Sequence, residues 1–143
     1  MKAITHSIEE THAFAAKIAS ELLGGEVLAL KGDLGTGKTE FVRGLAQALK
    51  SLDPVLSPSF TLLNLYRTNH ETIKHLVHVD FYRLLDRGVR VRTLEDIGLD
   101  EWLNRTDAVI VIEWPTDLLN TLFKTKELRF SLGDSETDRV IER

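Results

Sequence analysis

The 143-residue sequence predicts an α/β fold, with a mainly parallel central sheet and antiparallel edge strands lying between helical layers. Three observations carry that reading. The apolar run Val27-Leu28-Ala29-Leu30 leads into Gly32-Asp33-Leu34-Gly35-Thr36-Gly37-Lys38-Thr39. Phe41, Val42, Leu45, Ala46, Ala48 and Leu49 follow at helical spacing, so strand, glycine-rich loop and amphipathic helix succeed one another. Val109-Ile110-Val111-Ile112 is a second continuous apolar run, expected to be buried on both faces of the sheet. The glycine-rich loop has the form G-x-x-x-x-G-K-[ST], which makes the fold a three-layer P-loop NTPase domain. No repeat, linker or low-complexity stretch divides the chain, and residues 1–143 are read as a single domain.

The elements follow in order. Lys2 to His6 is expected to form a short edge strand. Ser7 opens a helix over Ile8 to Leu23, with Glu10 at capping-box spacing, and Phe14, Ala15, Ile18, Ala19 and Leu22 make its buried stripe before Gly24-Gly25. The helix after the loop runs from Lys38 to about Lys50 and is stopped by Asp53-Pro54. Ser57-Pro58-Ser59-Phe60-Thr61 reads as a loop feeding a strand over Leu62 to Tyr66. A hairpin turn at Thr68 to Glu71 and a returning strand over Ile73 to Phe81 place Asp80 at a strand end. A charged stretch, Arg87 to Arg92, precedes a short helix that Thr93 is expected to cap. That helix carries Leu94, Ile97, Leu99, Trp102 and Leu103, with a break at Gly98. Glu113-Trp114-Pro115 ends the strand at 109–112. Leu118, Leu119, Leu122 and Phe123 suggest a short helix, Glu127 to Leu132 a strand, Gly133-Asp134-Ser135 a turn, and Arg139 to Ile141 an edge strand.

The residue types of the loop carry the chemistry. Gly32, Gly35 and Gly37 let main-chain N–H groups approach an anion, and the helix that starts beside them adds its own unpaired amides. Lys38 is expected to reach the β- and γ-phosphates of a nucleotide, and the Thr39 hydroxyl to ligate Mg²⁺. Glu113, at the carboxyl edge of a central strand, is a Walker-B-type candidate for holding that ion directly or through water, or else a capping carboxylate. The Ser57 to Thr61 hydroxyls are either a plain loop or a segment that offers ligands to the γ-phosphate and Mg²⁺.

Composition excludes several alternatives. Without cysteine there are no disulfides, thiolate zinc sites or thiol nucleophiles, and His70, His75, His78 and Asp80 are too irregularly spaced to suggest zinc. Lysine and arginine number 18 against 22 acidic residues, a net charge of −4, which disfavours direct binding to a nucleic-acid backbone. The N-terminus lacks the apolar core of a signal peptide, and no run approaches a membrane span, so the cytoplasm is the expected compartment.

With these motifs in order, and with His78-Val79-Asp80-Phe81-Tyr82-Arg83-Leu84 between them, the chain resembles the small bacterial TsaE (YjeE) ATPase family over nearly its whole length. The resemblance implies an ATP- and Mg²⁺-dependent ATPase that acts with TsaD-like and TsaB-like proteins. Together they would form the threonylcarbamoyl group on adenosine 37 of tRNAs reading codons that begin with adenine, with tRNA engaged indirectly. It implies that Gly32, Asp33, Leu34, Gly35, Thr36, Gly37, Lys38 and Thr39 hold the nucleotide, with Thr36 where the family usually has alanine. Ser57-Pro58-Ser59-Phe60-Thr61-Leu62 resembles the family's switch segment, with Ser59 replacing threonine and Thr61 the better switch candidate. Glu113 and Trp114 fall on a Glu-Trp pair beside Mg²⁺ and nucleotide, and Asp80 on a motif aspartate. By the same resemblance the base pocket uses the start of the first helix and the turn near Gly133 to Arg139.

Because Glu113 ends the more uniformly buried strand, it should complete the Mg²⁺ shell with Thr39, leaving Asp80, with Lys38, to serve the attacking water and the transferred phosphate. The sequence places no arginine to act on the phosphates in cis. Two other functions compete: a nucleotide-gated binding module in which occupancy matters more than hydrolysis, and a small-molecule kinase.

Overall fold

The computed structural model describes residues 1–57, 61–122 and 124–143. Pro58, Ser59, Phe60 and Phe123 lie outside them, and with these the middle of the expected switch segment and the last apolar position expected of the fourth helix. Among the described residues one sheet holds β1 (Lys2–Thr5), β2 (Val27–Lys31), β3 (Leu63–Arg67), β4 (His75–Asp80), β5 (Ala108–Glu113), β6 (Thr125–Leu132) and β7 (Arg139–Glu142). The order across it is β1-β7-β6-β2-β5-β4-β3. The four central strands, β6, β2, β5 and β4, are parallel, and β3, β7 and β1 add on antiparallel at the two edges. The α/β class and the parallel centre with antiparallel edges are therefore as expected.

Alternation along the strands makes the layers. Val109 and Val111 of β5 face the same side as Leu28 and Leu30 of β2, and pack there with helices α1 (Ile8–Glu21) and α2 (Lys38–Ala48). Ile110 and Ile112 face the other side with Val27. They meet Leu94 of helix α3 (Val91–Asp96), Leu99 of the following turn, and Leu119 of helix α4 (Asp117–Leu122). Every residue of β5 is buried, which is why its sequence is apolar without interruption up to Glu113.

Several boundaries differ from expectation for local reasons. α1 stops at Glu21, because the Glu26 carboxylate accepts the Leu23 and Gly24 amides, each at 2.7 Å, and turns the chain toward β2. Thr93 does not cap α3. Arg90 occupies that position, and Thr93, three residues in, accepts the Arg90 amide at 3.1 Å. Thr125 pairs with Val27, so β6 starts two residues before Glu127.

Gly44 sits where α2 crosses α1. A Cβ there would lie 2.7 Å from His12 Cα and 2.9 Å from Ala15 Cβ. Helix propensity favours alanine at such a position by about 1 kcal/mol, yet the helix–helix contact has no room for a methyl group. Gly44→Ala is expected to destabilise the fold by about 1–3 kcal/mol, measured by urea unfolding. An unchanged or raised midpoint would show that α1 can shift at no cost.

Candidate functional site

A cavity of about 430 Å³ opens beyond the carboxyl ends of β2, β4 and β5, the usual place for a ligand in a parallel sheet. The loop between β2 and α2 forms its floor. Gly32 (φ +153°) passes so close to β6 that a Cβ would lie 2.4 Å from the Phe130 carbonyl, whereas a Cβ on Gly35 would meet nothing within 4 Å. The first glycine lets the loop pack on the sheet; the second, at φ +79°, lines the cavity. Thr36, buried, donates its hydroxyl to the Asp33 carbonyl at 2.7 Å and holds the loop's shape.

The two long helices begin differently. Ser7 accepts the Glu10 amide at 3.1 Å, while Glu10 reaches back to the His6 amide at 2.7 Å, so α1 is capped by side chains. Among the described residues no side chain caps α2, whose first turn opens at Gly37 onto the cavity. A helix start left to a ligand in this way is suited to phosphate.

Lys38 donates to the Gly32 carbonyl and, at 2.8 Å, to the Asp33 carbonyl, with Nζ 4.4 Å from the centre of the Trp114 ring. Burial pushes its ammonium below the usual lysine range, against the pull of Glu113, Asp80 and Asp33. Trp114 has φ +56°, a conformation that costs a bulky residue about 1–3 kcal/mol. That turn at the end of β5 carries its ring to the cavity wall, 5.0 Å from the Tyr82 ring.

The Thr39 hydroxyl lies 3.0 and 3.3 Å from the two Glu113 carboxylate oxygens, to which it donates. Asp80 is level with Glu113 on the neighbouring strand. Burial pushes the Asp80 carboxyl above its ordinary range, although its Oδ1 accepts the Tyr82 amide at 2.9 Å. A hydroxyl and two carboxylates, all hard oxygen donors at the mouth of a phosphate-type loop, fit Mg²⁺, which takes few protein ligands and draws the rest from phosphate and water.

Of the residues expected at the site, Leu34, Gly35, Gly37, Lys38, Thr39, Asp80, Glu113 and Trp114 line one cavity. Thr61 does not: its hydroxyl donates to Asn64 Oδ1 at 2.7 Å, and among the described residues of that segment Ser57 is on the cavity wall. The start of α1 contributes Ser7, Ile8 and Thr11 to the same wall.

Arg139 also reaches the wall, with its Cγ 3.6 Å from where a Gly37 Cβ would be and its Nη1 on the Glu136 and Asp138 carbonyls. Arg139 therefore stands beside the loop, because β7 folds back along β6. The histidines separate. His70 accepts the Thr72 and Ile73 amides, His75 packs against Trp102 at 4.9 Å, and buried His78 bonds Glu113 at 2.6 Å. Sequence reasoning missed this last partnership, although the alternation of His78 with Asp80 along β4 put both on the Glu113 side.

Residues 5–141 match the family model described as threonylcarbamoyl adenosine biosynthesis protein TsaE. The chain belongs to the TsaE family. Among relatives named tRNA threonylcarbamoyladenosine biosynthesis protein TsaE, that of Mycobacterium tuberculosis is 36% identical over 115 residues, covering 80% of this chain and 68% of the relative. That of Aquifex aeolicus is 43% identical over 115 residues, 77% of this chain and 84% of its own. The crystal structure of Bacillus subtilis YdiB superposes with a TM-score of 0.69 at 29% identity, covering 99% of this chain and 82% of that one. Among the described residues, no helix of this TsaE-family chain is long and apolar enough to cross a membrane.

Proposed function

We propose that this chain binds ATP with Mg²⁺ in the cavity at the head of α2 and hydrolyses it within a cytoplasmic assembly containing TsaD-like and TsaB-like proteins. That assembly would form the threonylcarbamoyl group on adenosine 37 of tRNAs reading codons that begin with adenine. The observation that carries the reading is the convergence of an uncapped helix start, Lys38, and the Thr39–Glu113 pair at 3.0 Å on one cavity. Membership of a family whose relatives are named for this modification supports the pathway.

In this reading the loop amides and Lys38 hold the β- and γ-phosphates, Thr39 and Glu113 hold Mg²⁺, and Asp80 orients the attacking water and accepts its proton. Bound Mg²⁺ would supply charge neutralisation at the phosphates. Trp114, Ser7, Ile8 and Thr11 line the cavity and would wall the remainder of the nucleotide.

Phosphate release from MgATP, measured for the chain alone and mixed with the two partner proteins, tests the proposal, with Lys38→Ala as the blank. Stimulation by the partners is expected, up to the roughly 10³–10⁵-fold that a positive charge supplied in trans can give. Equal release with and without them would favour a self-contained NTPase. Transfer of the phosphate to a metabolite would favour a kinase, and tight binding without release a nucleotide-gated module.

A further inference from the structure

One side-chain path joins the Thr39–Glu113 pair to the chain that leads into Ser57. His78, fully buried on β4, lies with Nε2 2.6 Å from Glu113 Oε2, to which it donates. Its Nδ1 is 3.1 Å from the hydroxyl of Tyr66, a buried residue of β3. That hydroxyl accepts the Leu56 amide at 3.2 Å, and its single proton is placed to go either to His78 Nδ1 or to the Leu56 carbonyl at 2.8 Å. The same carbonyl receives the Asn64 side-chain amide at 3.1 Å, and Asn64 in turn accepts the Thr61 hydroxyl. Leu56 itself is 62% exposed, so its own side chain contributes little to holding this segment. Both flanks of residues 57–61 are thus tied to β3, and β3 is tied through His78 to Glu113.

We propose that Tyr66 and His78 are positioning residues. They aim the Glu113 carboxylate at Thr39 and make its position dependent on where the chain at Leu56 and Ser57 is held, so that engagement of Glu113 by the metal is felt on that segment. The metal end of this proposal rests on the nucleotide reading above. Its physical basis is the burial of Glu113, His78 and Tyr66: polar groups out of water are held by their partners, so a shift of one is felt by the next. Groups one step behind a metal carboxylate set its orientation, and their loss typically weakens metal binding about 10–100-fold.

The test uses Tyr66→Phe, His78→Leu and His78→Gln in the full chain, with unfolding checked for each. Nucleotide binding is titrated with a fluorescent ATP analogue, with Mg²⁺ and with chelator, and amide hydrogen exchange is followed over residues 52–57. Tyr66→Phe is expected to speed exchange of the Leu56 amide about tenfold, from loss of a hydrogen bond of ordinary strength. It is also expected to raise the Mg²⁺ concentration needed for half-maximal binding by about tenfold, with binding in chelator unchanged. His78→Leu should do the same at the metal, and His78→Gln, which keeps an N–H donor, should recover part of the loss.

General loosening of the fold would weaken binding with and without Mg²⁺ alike, and that result would overturn the proposal. So would a normal Mg²⁺ requirement in Tyr66→Phe and His78→Leu while the wild type binds normally. Absence of any Mg²⁺-dependent binding by the wild type would overturn the nucleotide reading and this proposal together.

Discussion

Asp80→Asn is expected to leave MgATP binding nearly unchanged and to lower phosphate release by about 10²–10⁴-fold, the usual contribution of a positioned general base. Asparagine keeps an oxygen that can accept the Tyr82 amide, as Asp80 Oδ1 does at 2.9 Å, so the end of β4 should hold its shape. What the substitution removes is the capacity to take a proton. That capacity is already enhanced, because burial lifts the carboxyl above its ordinary range and makes its anion a stronger base. Nucleotide titration beside single-turnover phosphate release separates the two effects. A parallel loss of binding and turnover would mean that Asp80 holds the metal or the phosphates, and the roles of the two carboxylates would exchange.

Glu113→Ala is expected to act twice. Mg²⁺-dependent nucleotide binding should fall sharply, while binding in the presence of chelator changes little, since the loop amides and Lys38 remain. The fold should also lose about 1–3 kcal/mol, the usual cost of orphaning a buried donor. His78 Nε2 and the Thr39 hydroxyl both give their bonds to this carboxylate, and only 3% of Glu113 is exposed. Glu113→Gln keeps the volume and one acceptor oxygen, and should recover much of the stability without the metal affinity. Urea unfolding and Mg²⁺ titration of both variants check this. Unaltered Mg²⁺ dependence in Glu113→Ala would remove it from the ion's shell.

The parts of the site legible in the sequence were those carried by a contiguous segment. Gly32 to Thr39 could be read directly, because strand, loop and helix are joined by a few residues and each leaves its own periodicity. Glu113 and Asp80 were legible one step further, as polar residues that end apolar strands. The Thr93 cap was misplaced because threonine serves equally at the cap and three residues inside, where it accepts the Arg90 amide. Thr61 is the better switch candidate in the sequence because Ser59 stands where threonine is usual, and the nearby Asn64 oxygen, which takes the Thr61 hydroxyl, gives no signal in the local pattern.

Local sequence thus determined the α/β class, the phosphate loop and the two carboxylates at strand ends, since hydrophobic period, glycine placement and chain breaks act over a few residues. Tertiary structure alone decided which strand ends lie side by side: Leu30 beside Glu113, and Glu113 beside Asp80. It also brought Arg139 to the loop and Tyr66 to His78, and left Thr61 facing Asn64. The physical reason is that strand order and antiparallel return are set by burial summed over the whole sheet, which no window of neighbouring residues contains.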